Sequence, residues 1–171
     1  METIVHIGPL EIRWYSVMLV TGLFAGGLLG QWQAKRRGLN TDHVWNIVVL
    51  GLVFGLIGAR AYHVIDQWSY YRENPSLIPA IWKGGIGIYG ALAGALLALW
   101  LYTKLRKLSF LTWADIGAPC FLLGQTIGRW GNFFNQELYG RPTDLPWGIF
   151  IDEQHRPKDL QYAGFTRFHP L

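Results

Sequence analysis

Charged residues and cysteine are what this sequence has least of. Only 15% of its 171 residues are charged, against about 25% in typical soluble domains. A single cysteine, Cys120, excludes a disulfide framework within the chain and any metal site built from several cysteines. Because Cys120 lies inside an apolar run, packing is its expected role. The shortage of charge favours a membrane protein.

Several common enzyme motifs are also missing. There is no Gly-x-Ser-x-Gly elbow, no His-Glu-x-x-His pair and no Walker loop, so a serine hydrolase, a zinc protease and a nucleotide-binding enzyme are disfavoured. His6 and His63 have no second ligand at a suitable spacing, and neither a metal nor a cofactor is predicted. The net charge of +4 comes from short basic clusters between apolar runs rather than from one basic face. Nucleic acid is therefore not an expected partner.

What the sequence does have is apolar length. A transmembrane helix needs about 20 residues to cross about 30 Å of hydrocarbon, and four runs qualify. Nine Trp, eight Tyr and nine Phe fit the same interpretation, because aromatic rings collect where lipid meets water. The predicted fold class is all-α, a polytopic integral membrane protein. Its helices are predicted over residues 14–32, 44–65, 84–103 and 111–127, and the last run, which is the shortest, contains Asp115, Pro119 and Gln125.

The basic clusters predict the orientation of these helices. Residues 35–37 follow the first helix and residues 104–107 follow the third, so both loops are expected on the cytoplasmic side. The loop 66–83 has no basic excess and is expected on the outer side, together with the N-terminus. Residues 1–171 are predicted to form a single membrane domain, with 128–171 as the signature segment and the start of an outer-face head region.

Small residues recur at every fourth position within three of the runs. Such faces let transmembrane backbones approach closely, so they predict tight helix packing and no catalytic role. The positions are Gly22, Gly26 and Gly30 in the first run, Gly51, Gly55 and Ala59 in the second, and Gly90 and Gly94 in the third.

Polar residues gather directly after the fourth run. Arg129 in this stretch can hold a phosphate by a two-pronged, charge-assisted hydrogen bond, and amides such as Asn132 can donate to headgroup oxygens. In a helix, Arg129, Asn132 and Gln136 would share one face; in a loop, the glycines of the stretch would serve turning instead. The carboxylate of Glu137 cannot help to bind a phosphate diester, so it either orients an arginine or accepts a proton. Arg60, near the outer end of the second run, either contacts a headgroup or extends to the interface.

The stretch from Gly128 to Arg141 resembles the signature of bacterial prolipoprotein diacylglyceryl transferases. Arg13-Trp14-Tyr15, Gly58-Ala59-Arg60 and the run from Trp82 to Gly90 follow the family's order and approximate spacing, and the resemblance covers essentially the whole chain. It implies a transferase of the bacterial plasma membrane, with phosphatidylglycerol and the prolipoprotein signal peptide as partners. The implied reaction moves the diacylglyceryl group to the sulfhydryl of the lipobox cysteine, forming a thioether and releasing glycerol phosphate.

The resemblance also assigns site residues. It implies catalytic roles for Arg129 and Glu137, with Tyr89 as a third candidate. Phosphatidylglycerol binding is implied for Arg129, Asn132, Tyr15, Asn135, Gly140 and Arg60.

This sequence departs from the family pattern at two places. Where many members have a His-Gly-Gly stretch, it has Tyr89-Gly90-Ala91, and a tyrosine with a pKa near 10 is a poor base at neutral pH. Glu137 or solvent is the alternative acceptor for the thiol proton. Members also continue after the His-Pro stretch, whereas this sequence stops at Leu171, so it is expected to be an N-terminal part of a bundle of about seven helices and to be inactive or poorly active alone.

Two other classes of protein compete with the enzyme. A small multi-pass transporter or channel subunit would use the glycine faces as a pathway and Arg129 and Glu137 as a gate. A non-catalytic assembly protein would bind anionic lipid through Arg60 and Arg129. A transporter favours polar residues at the membrane midplane, whereas here they are predicted at the outer edge.

Overall fold

A computed structural model describes residues 3–7, 10–156 and 164–170. The helices are α1 (Trp14–Arg36), α2 (Asp42–Asp66), α3 (Trp68–Glu73), α4 (Ile88–Leu105) and α5 (Phe110–Phe134). Two short antiparallel pairs accompany them: β1 (Thr3–Ile7) with β2 (Leu10–Arg13), and β3 (Ile149–Phe150) with β4 (Arg167–Phe168). Short 3-10 turns occupy Pro75–Leu77, Ile81–Lys83 and Glu153–His155.

The predicted helical membrane architecture is confirmed. Among the described residues, α1, α2 and α4 are long and apolar enough to cross a membrane. The helix α5 has 25 residues, which is also sufficient length, but its hydroxyl, amide and charged side chains lower its hydropathy. The fourth crossing therefore remains a prediction, although its helix is real and runs seven residues beyond the predicted end at residue 127.

One predicted helix start is wrong. The third run was expected to be helical from residue 84, but α4 begins at Ile88. Gly84 and Gly85 have φ angles of +82° and +76°, in the left-handed region that no α-helix visits. Glycine counts as neutral in an apolar window, so the pattern could not separate a turn from a helix at this point.

The chain forms two compact units, and both α1 and α5 contribute residues to each. One unit comprises residues 27–119. The other comprises residues 1–26 and 120–171. The prediction of a single membrane domain over 1–171 stays a prediction, and of its head region residues 157–163 and 171 lie outside the described part.

The glycine faces of α2 and α4 pack directly against each other within the unit 27–119. A side chain added at Gly90 would meet the backbone carbonyl of Gly58, and one added at Gly94 would meet that of Phe54. Van der Waals contact between backbones replaces side-chain interdigitation here. At the end of this unit that carries the basic clusters, buried apolar side chains form a core of Ala34, Val44, Leu99, Trp113 and Ile116.

The other unit joins the start of α1 to α5 and to a small head, defined as residues 141–156 and 164–170. Gly22 and Gly26 face the backbone carbonyls of Gly124 and Cys120, at distances of 2.9 and 3.0 Å from an added Cβ. The head has its own core, in which Ile151 and Phe168 are each 1% exposed. The two strand pairs were not predicted from the sequence, since strands of two to five residues give little alternating pattern.

Candidate functional site

One face of the last turns of α5 lines a pocket. Asn132 and Phe133 lie three and four residues after Arg129, the spacings that place side chains on one side of a helix, and all three residues line the pocket. Arg129 is exposed, and it makes no hydrogen bond or ion pair with any other described residue. Its guanidinium donors are therefore available to an anion.

The way α5 ends brings Glu137 to the same pocket. The amide of Gln136 donates to the carbonyl of Phe133 (3.1 Å) and the amide of Glu137 donates to the carbonyl of Asn132 (3.0 Å). These two bonds define a Schellman cap, which places the third-last helical residue beside the second residue after the cap. Those residues are usually apolar and touch each other. Here they are Asn132 and Glu137, and both line the pocket.

The remaining wall of the pocket is largely apolar. The pocket is partly open and its cavity volume is about 50 Å³, well below the range for pockets that enclose a drug-sized ligand. It can hold part of a polar headgroup but not a pair of acyl chains. Besides Phe133, the wall comprises Leu138, Tyr139, Ile149 and Pro170.

Asn135 holds the carboxylate of Glu137 by a hydrogen bond. Its side chain is buried, and its Nδ2 donates to Glu137 Oε1 at 3.2 Å. Its Oδ1 is also buried and has no hydrogen-bond partner among the described residues. The contact with Glu137 fixes the direction of that carboxylate, so Asn135 orients a pocket residue without lining the pocket.

Tyr15 and Gly140 lie next to pocket residues. Tyr15 is 39% exposed, and a side chain added at Gly131 would come within 2.9 Å of its ring. Gly140 donates its amide to the carbonyl of His169 (2.8 Å), and an added Cβ would lie 3.0 Å from the Cβ of His169. Since Pro170 follows His169, the close approach at Gly140 sets one edge of the pocket.

Tyr139 ties the pocket to the head. Its hydroxyl donates to the backbone carbonyl of His155, and its ring packs against Phe168 with centroids 4.8 Å apart. Burial raises the pKa of the Tyr139 phenol above its ordinary value, and the positive charge of Arg156 opposes this rise. The phenol therefore stays protonated at neutral pH and keeps its donor role.

Arg60 belongs to the other unit, and its donors are already occupied. The side chain is 6% exposed. Nε donates to the carbonyl of Ile78 (2.8 Å), Nη2 to that of Leu77 (2.6 Å), and Nη1 to those of Gly84 and Gly85 (2.7 and 2.8 Å). Arg60 thus joins the two halves of the loop between α3 and α4. A headgroup contact by Arg60 remains a prediction, but four of its five donors serve the backbone.

Tyr89 lies in the same unit as Arg60, at the start of α4. It is 69% exposed and packs against Tyr62 with centroids 5.9 Å apart. Its assignment as a catalytic residue remains a prediction.

The whole chain matches a known family. A family model for prolipoprotein diacylglyceryl transferase matches residues 2–171. The chain belongs to this family. Similar proteins named phosphatidylglycerol–prolipoprotein diacylglyceryl transferase occur in Chloroflexus aggregans (48% identical, covering 95% of this chain and 54% of the relative), Trichormus variabilis (46%, covering 98% and 58%) and Thermotoga petrophila (41%, covering 98% and 57%). The chain therefore spans somewhat over half the length of these curated relatives.

Membership of the prolipoprotein diacylglyceryl transferase family confirms the resemblance inferred from the stretch at 128–141. Of the two alternatives left open for this stretch, the helix applies to Arg129 and Asn132 but not to Gln136, because α5 ends at Phe134 and Gln136 lies in the cap. Leu138, Ile149 and Pro170 also line the pocket but were not predicted from the sequence. No local signal marks these apolar residues, which reach the pocket only through the folding of the head.

Proposed function

We propose that the protein carrying this chain transfers the diacylglyceryl group of phosphatidylglycerol to the lipobox cysteine of a prolipoprotein, the first step of lipoprotein maturation. The observation that carries this proposal is the joining of Arg129, Asn132 and Glu137 in one pocket that has an apolar wall. The names of the similar proteins support both substrates. A headgroup that is anionic at its phosphate and attached to acyl chains matches a pocket of this mixed character.

Arg129 is the residue proposed to hold the phosphate. Its donors are available, whereas four of those of Arg60 are bonded to carbonyls. As the bond to the leaving group breaks, a second negative charge develops on the phosphate. A guanidinium bound to this phosphate stabilises the developing charge more than it stabilises the diester, so it lowers the barrier as well as binding the substrate. Asn132, one turn further along α5, can donate to a remaining headgroup oxygen.

The reaction needs one proton acceptor and no oxidant. The thiol sulfur of the prolipoprotein forms a bond to the glyceryl methylene carbon that carries the phosphate. The bond between that carbon and the phosphate oxygen breaks, its electron pair leaves with the oxygen, and glycerol phosphate departs. Glu137 is proposed to take the thiol proton directly or through water. Asn135 donates to Oε1 of this carboxylate and so holds it in place.

The pocket is proposed to open on the outer face of the bacterial plasma membrane. The basic residues after α1 and α4 support this orientation, because basic loops stay in the cytoplasm. The pocket follows α5, which is one predicted crossing after the basic cluster behind α4. A lipobox cysteine emerging during secretion arrives on that outer side.

A mass-spectrometric assay tests the proposed function. The purified protein in its native length is mixed with phosphatidylglycerol vesicles and a lipobox peptide. We expect a peptide heavier by one diacylglyceryl group, and none when the peptide cysteine is replaced by serine. Uptake of a solute without peptide modification would instead indicate a transporter, and vesicle binding alone would indicate a lipid-binding assembly protein.

A further inference from the structure

The turn that follows α5 has an unusual backbone. Gln136 and Leu138 have φ angles of +51° and +54°, in the left-handed region that favours glycine. Glu137 lies between them and lines the pocket. Two such residues on either side of a pocket carboxylate are costly unless something else stabilises the turn.

The side chain of Gln136 makes a two-part contact with Asp152 in the head. Its Oε1 accepts from the backbone amide of Asp152 at 2.6 Å, and its Nε2 donates to Asp152 Oδ2 at 2.9 Å. Both polar ends of the glutamine are thereby used by one residue. The residue next to Asp152 is Ile151, part of the core of the head, so Gln136 is bonded to a well-packed point.

Two other helix ends show what is ordinary in this chain. After α1 the left-handed residue of the cap is Gly38, and after α4 it is Lys107, with φ angles of +68° and +55°. Both ends carry the same pair of capping bonds as α5. Lys107 makes no side-chain hydrogen bond with another described residue. At these two ends only one residue is left-handed, and the cap forms without a side-chain hydrogen bond. After α5 a second left-handed residue follows, and there the side chain of Gln136 is bonded to Asp152, a contact called the clamp below.

We propose that Gln136 and Asp152 are positioning residues that hold Glu137 in the pocket. The Gln136–Asp152 pair offsets the cost of the left-handed turn and fixes the residue before Glu137. Asn135 then directs the carboxylate itself, through its bond to Oε1. The inference rests on the proposed function only where activity is the readout, because the turn is also observable directly.

Two variants, Gln136→Ala and Gln136→Gly, distinguish a positioning role of the Gln136 side chain from any other role. Gln136→Ala removes both bonds and keeps the cost of the left-handed conformation. Gln136→Gly removes the same bonds and that cost, since glycine adopts this conformation readily. We expect kcat for diacylglyceryl transfer to fall about tenfold in Gln136→Ala and to stay within about threefold of the original in Gln136→Gly. The KM for phosphatidylglycerol should change by less than about twofold in both, because Arg129 is untouched.

Matched controls come from the partner and from α4. Asp152→Asn keeps an oxygen for Gln136 Nε2 and should leave kcat unchanged, whereas Asp152→Ala keeps only the backbone bond and should lower kcat about threefold. Lys107→Ala makes the same change at a helix end outside the pocket and should have no effect. If Gln136→Gly were as impaired as Gln136→Ala, the side chain would be acting in some other way and the proposal would be wrong.

Residue-resolved hydrogen exchange tests the clamp without activity. Loss of the Gln136 acceptor should speed exchange of the Asp152 amide in both variants. The Glu137 amide, bonded to the carbonyl of Asn132, should exchange faster in Gln136→Ala only. Unchanged exchange at Glu137 in Gln136→Ala would overturn the positioning role. A protein that shows these exchange effects but forms no lipidated peptide would contradict the proposed function and leave the clamp supported.

Discussion

Replacing Arg60 by glutamine should destabilise the protein and leave its affinity for phosphatidylglycerol intact. The guanidinium donates to four carbonyls on two segments of one loop. Hydrogen bonds that involve a charged group contribute about 1.5–3 kcal/mol each, but they are not additive within one network. The loop is largely exposed, so its carbonyls regain water when the arginine is lost. A net cost of about 3 kcal/mol is therefore expected, at the low end of the values for breaking a buried charged network.

Thermal unfolding in detergent measures this cost. About 3 kcal/mol corresponds to a fall in Tm of roughly 6–12 °C for a chain of this size. Arg60→Lys should recover part of the loss, because an ammonium replaces some of the donors without the planar fork. Hydrogen exchange should quicken at Gly87, whose amide donates to the carbonyl of Ala59.

Arg129→Gln is the matched variant and should show the opposite pattern. The guanidinium of Arg129 makes no hydrogen bond to another described residue, so Tm should change by less than about 2 °C. Its dissociation constant for phosphatidylglycerol should rise at least about tenfold, since a charge-assisted contact is lost. An Arg60→Gln variant with unchanged Tm and weakened lipid binding would instead show that Arg60 is a headgroup ligand and not a support of the loop.

Three further predictions concern packing, titration and the proton acceptor. Gly90→Ala should cost about 1–3 kcal/mol in thermal unfolding because the new methyl meets the backbone of α2, whereas Gly51→Ala, with nothing within 4 Å, should not destabilise. The raised pKa of Tyr139 means that the folded state holds this proton more tightly than the unfolded state. Its contribution to stability is fully present below the ordinary pKa of 10.0 and is lost as the pH rises through the folded value. A pH series of Tm should therefore fall less steeply above pH 10.0 in Tyr139→Phe. Glu137→Gln should lower kcat about a hundredfold while Tyr89→Phe leaves it nearly unchanged, and the reverse result in the transfer assay would identify the tyrosine as the base.

The membrane helices were predictable because each is long enough and apolar enough to be recognised without tertiary information. Their ends were less so. At Gly84 and Gly85 a left-handed turn replaces the first predicted turn of α4, since glycine leaves an apolar pattern undisturbed. At the end of α5 the apolar and aromatic residues continue to Phe134, so the predicted end at residue 127 came too early.

The candidate site was predictable in its polar part alone. Arg129, Asn132 and Glu137 lie close together in the sequence, and their chemistry indicates an anionic ligand. The hydrogen bonds from Arg60 to backbone carbonyls could not be predicted, because the sequence alone does not distinguish an arginine that supports a loop from one that binds a ligand. The pairing of Gln136 with Asp152 joins residues 16 positions apart and depends on how the head folds against the helix end.

The stoichiometry of the transfer reaction tests the proposed function most directly. Lipidated peptide and released glycerol phosphate are quantified together, with phosphatidylglycerol vesicles, for the original protein and for Arg129→Gln. We expect one glycerol phosphate for each modified peptide and a rate at saturating lipid that falls at least about a hundredfold in the variant, because Arg129 is proposed to stabilise the departing phosphate. Peptide modification without release of glycerol phosphate would contradict the proposed reaction, and an unchanged rate in Arg129→Gln would contradict the proposed role of Arg129.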